Sequence, residues 1–239
     1  MNKKGQVAKY LIFDFLASAI SWTVFFIYRK AVIEPQLFGI DIPIEFTSRY
    51  YLGLFLIPVF WILFYYITGY YKNIFRRSRL LELGQTFSTS VAGVIVIFFA
   101  LILDDFIHSY KNYYQLFFTL LVLHFSLTYF FRLILTTRTI HRIHNRKLGF
   151  NTLLIGSTEN ALKIYNDMTR QVRPAGNLFV GFVSVENNND ALLSQFIPKL
   201  GNLKNLTEII EKQQIEEVII ALETVEHEKL SEILIIFEN

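Results

Sequence analysis

The chain has 239 residues, a formal net charge of +3, a mean hydropathy of +0.37 and no cysteine. Without cysteine, a disulfide framework and a thiolate metal site are both excluded. So small a charge surplus gives no reason to invoke nucleic acid. The apolar residues, 24 phenylalanines among them, are concentrated in the first 135 positions.

Four long apolar segments run over 10–28, 50–71, 87–103 and 114–135. Each is close to the ~20 residues a helix needs to cross a hydrocarbon core. Globular helices average only about 11–12 residues and carry a polar face, which these segments lack. The pattern predicts an α-helical membrane bundle of four transmembrane helices. The first segment is too long for a signal h-region, no small-residue cleavage site follows it and three more spans do, so it reads as a retained anchor. Tyr28, Tyr50, Tyr51, Tyr70, Tyr71, Tyr113 and Tyr114 lie near segment ends and read as an interfacial belt, or as helix packing.

Loop charges orient the spans. One side holds Lys3, Lys4, Lys72, Arg76, Arg77, Arg79, Arg132, Arg138, Arg142, Arg146 and Lys147. The other holds Arg29, Lys30, Arg49 and Lys111, diluted by Asp104 and Asp105. Positive charge stays on the cytoplasmic side, so both termini are expected there, in a multi-pass membrane protein.

Asp14 is the only acidic residue within the predicted spans, and such a residue faces partners rather than lipid. Arg132 of the fourth span lies at similar depth, so an Asp14–Arg132 structural pair is expected. His124, nearer the middle of that span, reads as a hydrogen-bonding residue between helices. Pro58 and Gly53 suggest a kink in the second helix.

Residues 136–150 form a basic connector. If the fourth helix continues, Arg138, Arg142 and Arg146 recur at i, i+4 and i+8 on one face. Such a row suits anionic lipid headgroups or an anionic lipid substrate, or serves only as a positive-inside anchor.

From 151 to 239 short apolar runs alternate with helical stretches. Thr152-Leu153-Leu154-Ile155, 178–183 and Val218-Ile219-Ile220-Ala221-Leu222 read as strands, and 160–171, 203–213 and 226–237 as helices. Residues 187–190 read as a turn. This alternation predicts βαβ units and a parallel sheet facing the cytoplasm. Gly156, Ser157 and Thr158, at the first strand-to-helix turn, are the nucleotide-site candidates. The stretch Gly156-Ser157-Thr158-Glu159-Asn160-Ala161 keeps the first and last positions of G-x-G-x-x-G/A. Thr158 replaces the glycine of closest pyrophosphate approach and Glu159 adds a negative charge, so a capped structural turn is the other reading.

No catalytic residue and no metal-ligand set emerges. His108 and His124 lack spaced carboxylates, and His141 and His144 stand among arginines. Asp104-Asp105 belongs to the outer face. Neither G-x-S-x-G nor a Walker sequence is present.

The order of parts resembles the front half of large bacterial polyprenyl-phosphate (undecaprenyl-phosphate) sugar phosphotransferases. The matching stretches are Thr152-Leu153-Leu154-Ile155-Gly156, Val180-Gly181-Phe182-Val183, Leu200-Gly201-Asn202-Leu203 and Glu217-Val218-Ile219-Ile220-Ala221. The second-span exit, Gly69-Tyr70-Tyr71-Lys72 with Arg77, Ser78, Arg79 and Glu82, is also similar. The resemblance implies a small α/β Rossmann-like (CoA-binding-like) domain. It also implies transfer of sugar 1-phosphate from a UDP-sugar to undecaprenyl phosphate, initiating capsule, exopolysaccharide or O-antigen synthesis. The family's catalytic residues, and the Mg2+ expected with them, belong to a further domain, so the α/β domain is expected to be truncated, with a labile unpaired sheet edge. No catalytic residue and no cofactor is therefore carried over to this chain. The implied partners are the bilayer, undecaprenyl phosphate, a UDP-sugar and a second copy of the chain. The same front half precedes membrane-bound nucleotide-sugar dehydratases and epimerases, and a non-enzymatic membrane scaffold is the third alternative.

Overall fold

The first part of the chain is built from helices that bury many polar side chains beside aromatic and aliphatic ones and expose large apolar side chains on their outer faces. The computed structural model describes residues 3–40, 43–72, 74, 75, 77–102, 110–172, 174–185, 192–223 and 228–238. Two compact units divide the chain, residues 2–140 and 141–239.

In the first unit α1 (Lys3–Tyr28) passes through a π turn, Arg29–Ile33, into the short α2 (Glu34–Phe38). It is followed by α3 (Ser48–Ile67), α4 (Arg79–Ile97) with a π turn at Phe98–Ile102, and α5 (Tyr110–His144). The stretches Lys4–Gln36, Ser48–Ile67, Arg79–Ala100 and Tyr110–His144 are each long and apolar enough to cross a membrane.

The side-chain distribution explains how such helices associate. Asp14, Ser18, Ser21, Glu82, Thr86, Ser90, His124, Thr128, Arg132 and Thr136 are all buried. Meanwhile Leu16, Phe55, Leu63, Phe87, Phe118 and Phe130 are exposed, Phe55 by 62%. A water-soluble bundle does the reverse, because apolar burial drives its folding. Where lipid surrounds the helices, close packing and internal hydrogen bonds take over that role. Small residues make the packing close. A Cβ on Gly93 would stand 2.3 Å from the Trp61 ring, and one on Gly53 would stand 2.6 Å from Trp22.

Boundaries of the second, third and fourth helices differ from the sequence reading in ways that move side chains. The second helix stops at Ile67 because Gly69 adopts φ +70°, with Gly69 N–H donating to Tyr66 O and Tyr70 N–H to Tyr65 O. This is the Schellman pattern of a helix end. It turns Tyr70 and Tyr71 back into the bundle, where both are buried, so they are not belt residues. The third helix begins eight positions early, at Arg79, with the Ser78 hydroxyl accepting from Leu81 N–H at 3.2 Å. That extension places Glu82 inside the bundle beside Asp14, which is therefore not the sole interior acid. The fourth helix runs on to His144.

The second unit is an α/β layer structure. Its elements are β1 (Phe150–Ile155), α6 (Glu159–Thr169), β2 (Asn177–Ser184), β3 (Lys199–Asn202), α7 (Leu206–Lys212), β4 (Glu217–Ile220) and α8 (Glu228–Glu238). The four strands are parallel in the order β3-β2-β1-β4. Side chains alternate across the sheet. Leu153, Ile155 and Val183 pack with Leu206, Ile209 and Ile233 on one face, and Leu154 and Phe182 pack with Ala161, Leu193 and Ile197 on the other. Burial on both faces is why β1 reads as a continuous apolar run. The strand β3 was not predicted: it has four residues, and its only large apolar one is Leu200. The Asp104-Asp105 pair, His108, the 187–190 turn and positions 226 and 227 of the last helix lie outside the described residues.

Candidate functional site

The most chemically elaborate place in the first unit is a buried polar cluster joining α1, α4, α5 and the α3–α4 loop. At its centre the Arg132 guanidinium, 0% exposed, donates through Nε to Asp14 Oδ1 at 2.8 Å and through Nη2 to Asp14 Oδ2 at 2.9 Å. The two residues expected to pair are thus brought together, in the bidentate form in which arginine and carboxylate match best. Tyr71 donates its hydroxyl to Asp14 Oδ2 at 2.8 Å, and Arg132 Nη1 donates to Thr86 Oγ1 at 3.2 Å. The Arg132 guanidinium carbon lies 4.0 Å from the Tyr65 ring centre and 3.6 Å from that of Tyr70. Cation–π attraction of this kind strengthens where water is excluded.

A second branch runs from α1 to α4. Tyr10 bonds Thr136 at 3.0 Å, and the Thr136 hydroxyl donates to Glu82 Oε2 at 3.1 Å. Glu82 is fully buried and its Oε1 has no hydrogen-bond partner among the described residues. Arg77 covers the Tyr70 ring at 3.8 Å, donates to Gln85 Oε1 at 2.7 Å and to the Tyr70 carbonyl. Burial, and then the charge of Arg132, lower the Arg77 guanidinium to about 10. Burial, and then the Asp14 carboxylate, push the Tyr71 phenol up, so it remains a donor. Two acidic and two basic side chains, Asp14 and Glu82 with Arg77 and Arg132, are therefore gathered in one buried cluster.

Further along the bundle, the Tyr65 hydroxyl lies 2.7 Å from His124 Nε2, and the His124 ring stacks on Trp61 at 3.6 Å. His124 is thus held between α3 and α5. Glu82 was read as part of the second-span exit and not as an interior acid, because the third span was started at Phe87. The polar stripe Glu82, Thr86, Thr89, Ser90, Gly93, at spacings of one helical turn, is the signal that places it inside.

In the second unit the β3-β2-β1-β4 order puts a topological switch point between β1 and β4, where parallel sheets bind nucleotides. The turn there does not fit a diphosphate. Gly156 adopts φ +130°, and a Cβ on it would stand 2.2 Å from the Ala221 carbonyl oxygen. Its N–H is engaged with Val183 O at 2.9 Å. The glycine thus serves the approach of β4 to β1. Ser157 is buried, Thr158 makes no side-chain cap bond, and Glu159 places a carboxylate in the first turn of α6. Lys204 is the only basic residue in the described loops that follow the strands. The candidates Gly156, Ser157 and Thr158 are together in the turn, but not as a phosphate cradle.

The predicted arginine row is broken. Arg138 and Arg142 lie exposed on α5, but Arg146 falls beyond its end with φ +55°. Arg146 N–H donates to Ile143 O and Lys147 N–H to Arg142 O, a Schellman turn with arginine where glycine is usual. No group of three or more potential metal ligands exists among the described residues.

A family model described as a CoA-binding domain matches residues 66–239. The matched stretch takes in Tyr70, Tyr71, Arg77, Glu82, Thr86, Arg132 and Thr136 of the buried cluster, while Asp14 precedes it. No curated protein matches the chain. The diphosphate of coenzyme A meets the same obstacles at Gly156 and Glu159 as that of a dinucleotide, so the residues present do not fit it there.

Proposed function

The chain belongs to this CoA-binding domain family, and on that premise we propose that it is the membrane-anchoring and regulatory part of a glycosylphosphotransferase. The reaction served is transfer of sugar 1-phosphate from a UDP-sugar to undecaprenyl phosphate at the bacterial cytoplasmic membrane. One observation carries the reading: four helices long and apolar enough to cross a membrane share a chain with a domain found in polyprenyl-phosphate sugar transferases among others.

In this reading the four helices cross the bilayer and both termini face the cytoplasm, as the bias of basic residues favours. The Asp14–Arg132 pair and its tyrosines fix helix packing. Arg138 and Arg142 contact anionic headgroups where α5 leaves the bilayer. The α/β domain contributes binding or regulation, and the described residues supply no acid–base pair for the transfer.

The test deletes, in frame, the coding segment for residues 1–239 from the host gene. Membranes are then assayed for labelled sugar phosphate passing from UDP-sugars to undecaprenyl phosphate. The expected result is loss of lipid-linked product, with the 239-residue chain alone giving no transfer. Unchanged product after the deletion overturns the reading, and transfer by the chain alone overturns the anchoring role.

A further inference from the structure

Beside the end of α5, within the second unit, is an open pocket of about 210 Å³ with Arg146 among its lining residues. Its walls include Ile143, Leu148, Met168, Leu178 and Phe179, and no acidic side chain among the described residues lines it. Leu178 is 52% exposed, so the apolar lining continues to the surface. Arg146 makes one long bond, Nη2 to the Thr169 carbonyl at 3.4 Å, and no ion pair among the described residues.

Size and chemistry restrict what enters. The volume exceeds the roughly 150 Å³ of an apolar cavity that takes up benzene. It falls below the ~300–1,000 Å³ of sites that enclose a drug-sized ligand. The pocket thus suits part of an apolar chain, and no whole nucleotide. A purely apolar occupant would leave the guanidinium unused, whereas carboxylate and phosphate match its fork of donors. The backbone adds a separate argument. Arg146 keeps a side chain at a left-handed position where glycine is the usual residue and bears no steric cost.

We propose that this pocket binds an anionic amphiphile, with an apolar chain between Ile143, Met168 and Phe179 and a carboxylate or phosphate on Arg146. The site is separate from the sheet's switch point and does not depend on the transferase reading. The occupant is either a phospholipid of the bilayer or a free fatty carboxylate, which share the recognised chemistry.

The full chain is reconstituted in phosphatidylcholine nanodiscs with one of three probes carrying the same diazirine-bearing chain. These are a fatty acid, a phosphatidic acid and a fatty alcohol. After illumination, labelled peptides are mapped by mass spectrometry. Labelling of the segments holding Met168 and Phe179 is expected to be about tenfold greater with an anionic probe than with the alcohol, as one charge-assisted contact implies. Labelling by the phosphatidic acid identifies a bilayer lipid, and labelling by the fatty acid alone identifies a free amphiphile. Arg146→Gly suits the left-handed turn, so the fold is kept, and it should reduce anionic labelling to the alcohol's level. Arg146→Lys should retain most of it. Equal labelling by all three probes, no labelling of these segments, or labelling indifferent to Arg146→Gly overturns the proposal.

Discussion

Replacing Asp14 by asparagine tests the buried cluster at its centre. The substitution keeps the shape of the side chain and removes the only carboxylate bonded to Arg132 among the described residues. Two charge-assisted bonds, at 2.8 and 2.9 Å, are weakened, and the Tyr71 hydroxyl loses its charged acceptor. Hydrogen bonds to charged groups contribute about 1.5–3 kcal/mol each, which would give several kcal/mol if they simply added. Two effects reduce this. An asparagine oxygen still accepts one bond, and single interhelical hydrogen bonds in membrane proteins average only about 0.6 kcal/mol. The uncompensated buried guanidinium acts in the other direction, since breaking a buried pair costs about 3–5 kcal/mol. The balance is a loss of about 3 kcal/mol, roughly a hundredfold in the folding equilibrium. Unfolding of the purified chain in mixed micelles, followed by the fluorescence of Trp22 and Trp61, measures it. Arg132→Met should cost a similar amount, whereas Asp14→Leu with Arg132→Met should cost less than either single change, because an apolar pair leaves no orphaned charge. Single variants within 1 kcal/mol of wild type would refute the buried-pair reasoning.

Other consequences follow from close contacts. Gly93→Ala forces a methyl group to within 2.3 Å of Trp61 and should destabilise the bundle by about 1–3 kcal/mol, read in the same micelle titration. Gly156→Ala meets a backbone oxygen at 2.2 Å in a left-handed conformation. It should lower the melting temperature of the full chain by an amount equivalent to about 3 kcal/mol or more, whether or not nucleotide is present. Coenzyme A, NAD and UDP, each added at millimolar concentration, should leave that melting temperature unchanged, and a saturable rise would contradict the fit argued at Gly156.

The parts of the fold that were legible in the sequence are those where one physical requirement dominates. Length and apolarity mark the helices because a bilayer-thick segment has no other way to satisfy its backbone. The strands β1, β2 and β4 stand out because burial on both faces demands unbroken apolar runs. Asp14 and Arg132 were readable as partners because each is an expensive charge at similar depth. Glu82 was missed as an interior acid because its neighbours on the sequence are ordinary: Leu80, Leu81 and Leu83 face outward, and only the polar stripe continuing through Thr86 and Ser90 places it inside. The inward turn of Tyr70 and Tyr71 depends on the backbone at Gly69, which composition does not encode. Arg146 leaves the helical row for a comparable reason, since a left-handed cap formed by arginine is rare. In the nucleotide turn, Gly156 suggested phosphate, but its close approach is to Ala221.

Single-cysteine labelling in intact cells tests the anchoring account most directly, because these 239 residues contain no cysteine to remove. Thr47→Cys, between the first and second long helices, and Asn112→Cys, in the first turn of the fourth, should react with a membrane-impermeant maleimide. Gln214→Cys, in the α/β unit, should react only after the cells are opened. Labelling of Gln214→Cys in sealed cells, or protection of both Thr47→Cys and Asn112→Cys, would contradict a four-span anchor that holds this domain in the cytoplasm.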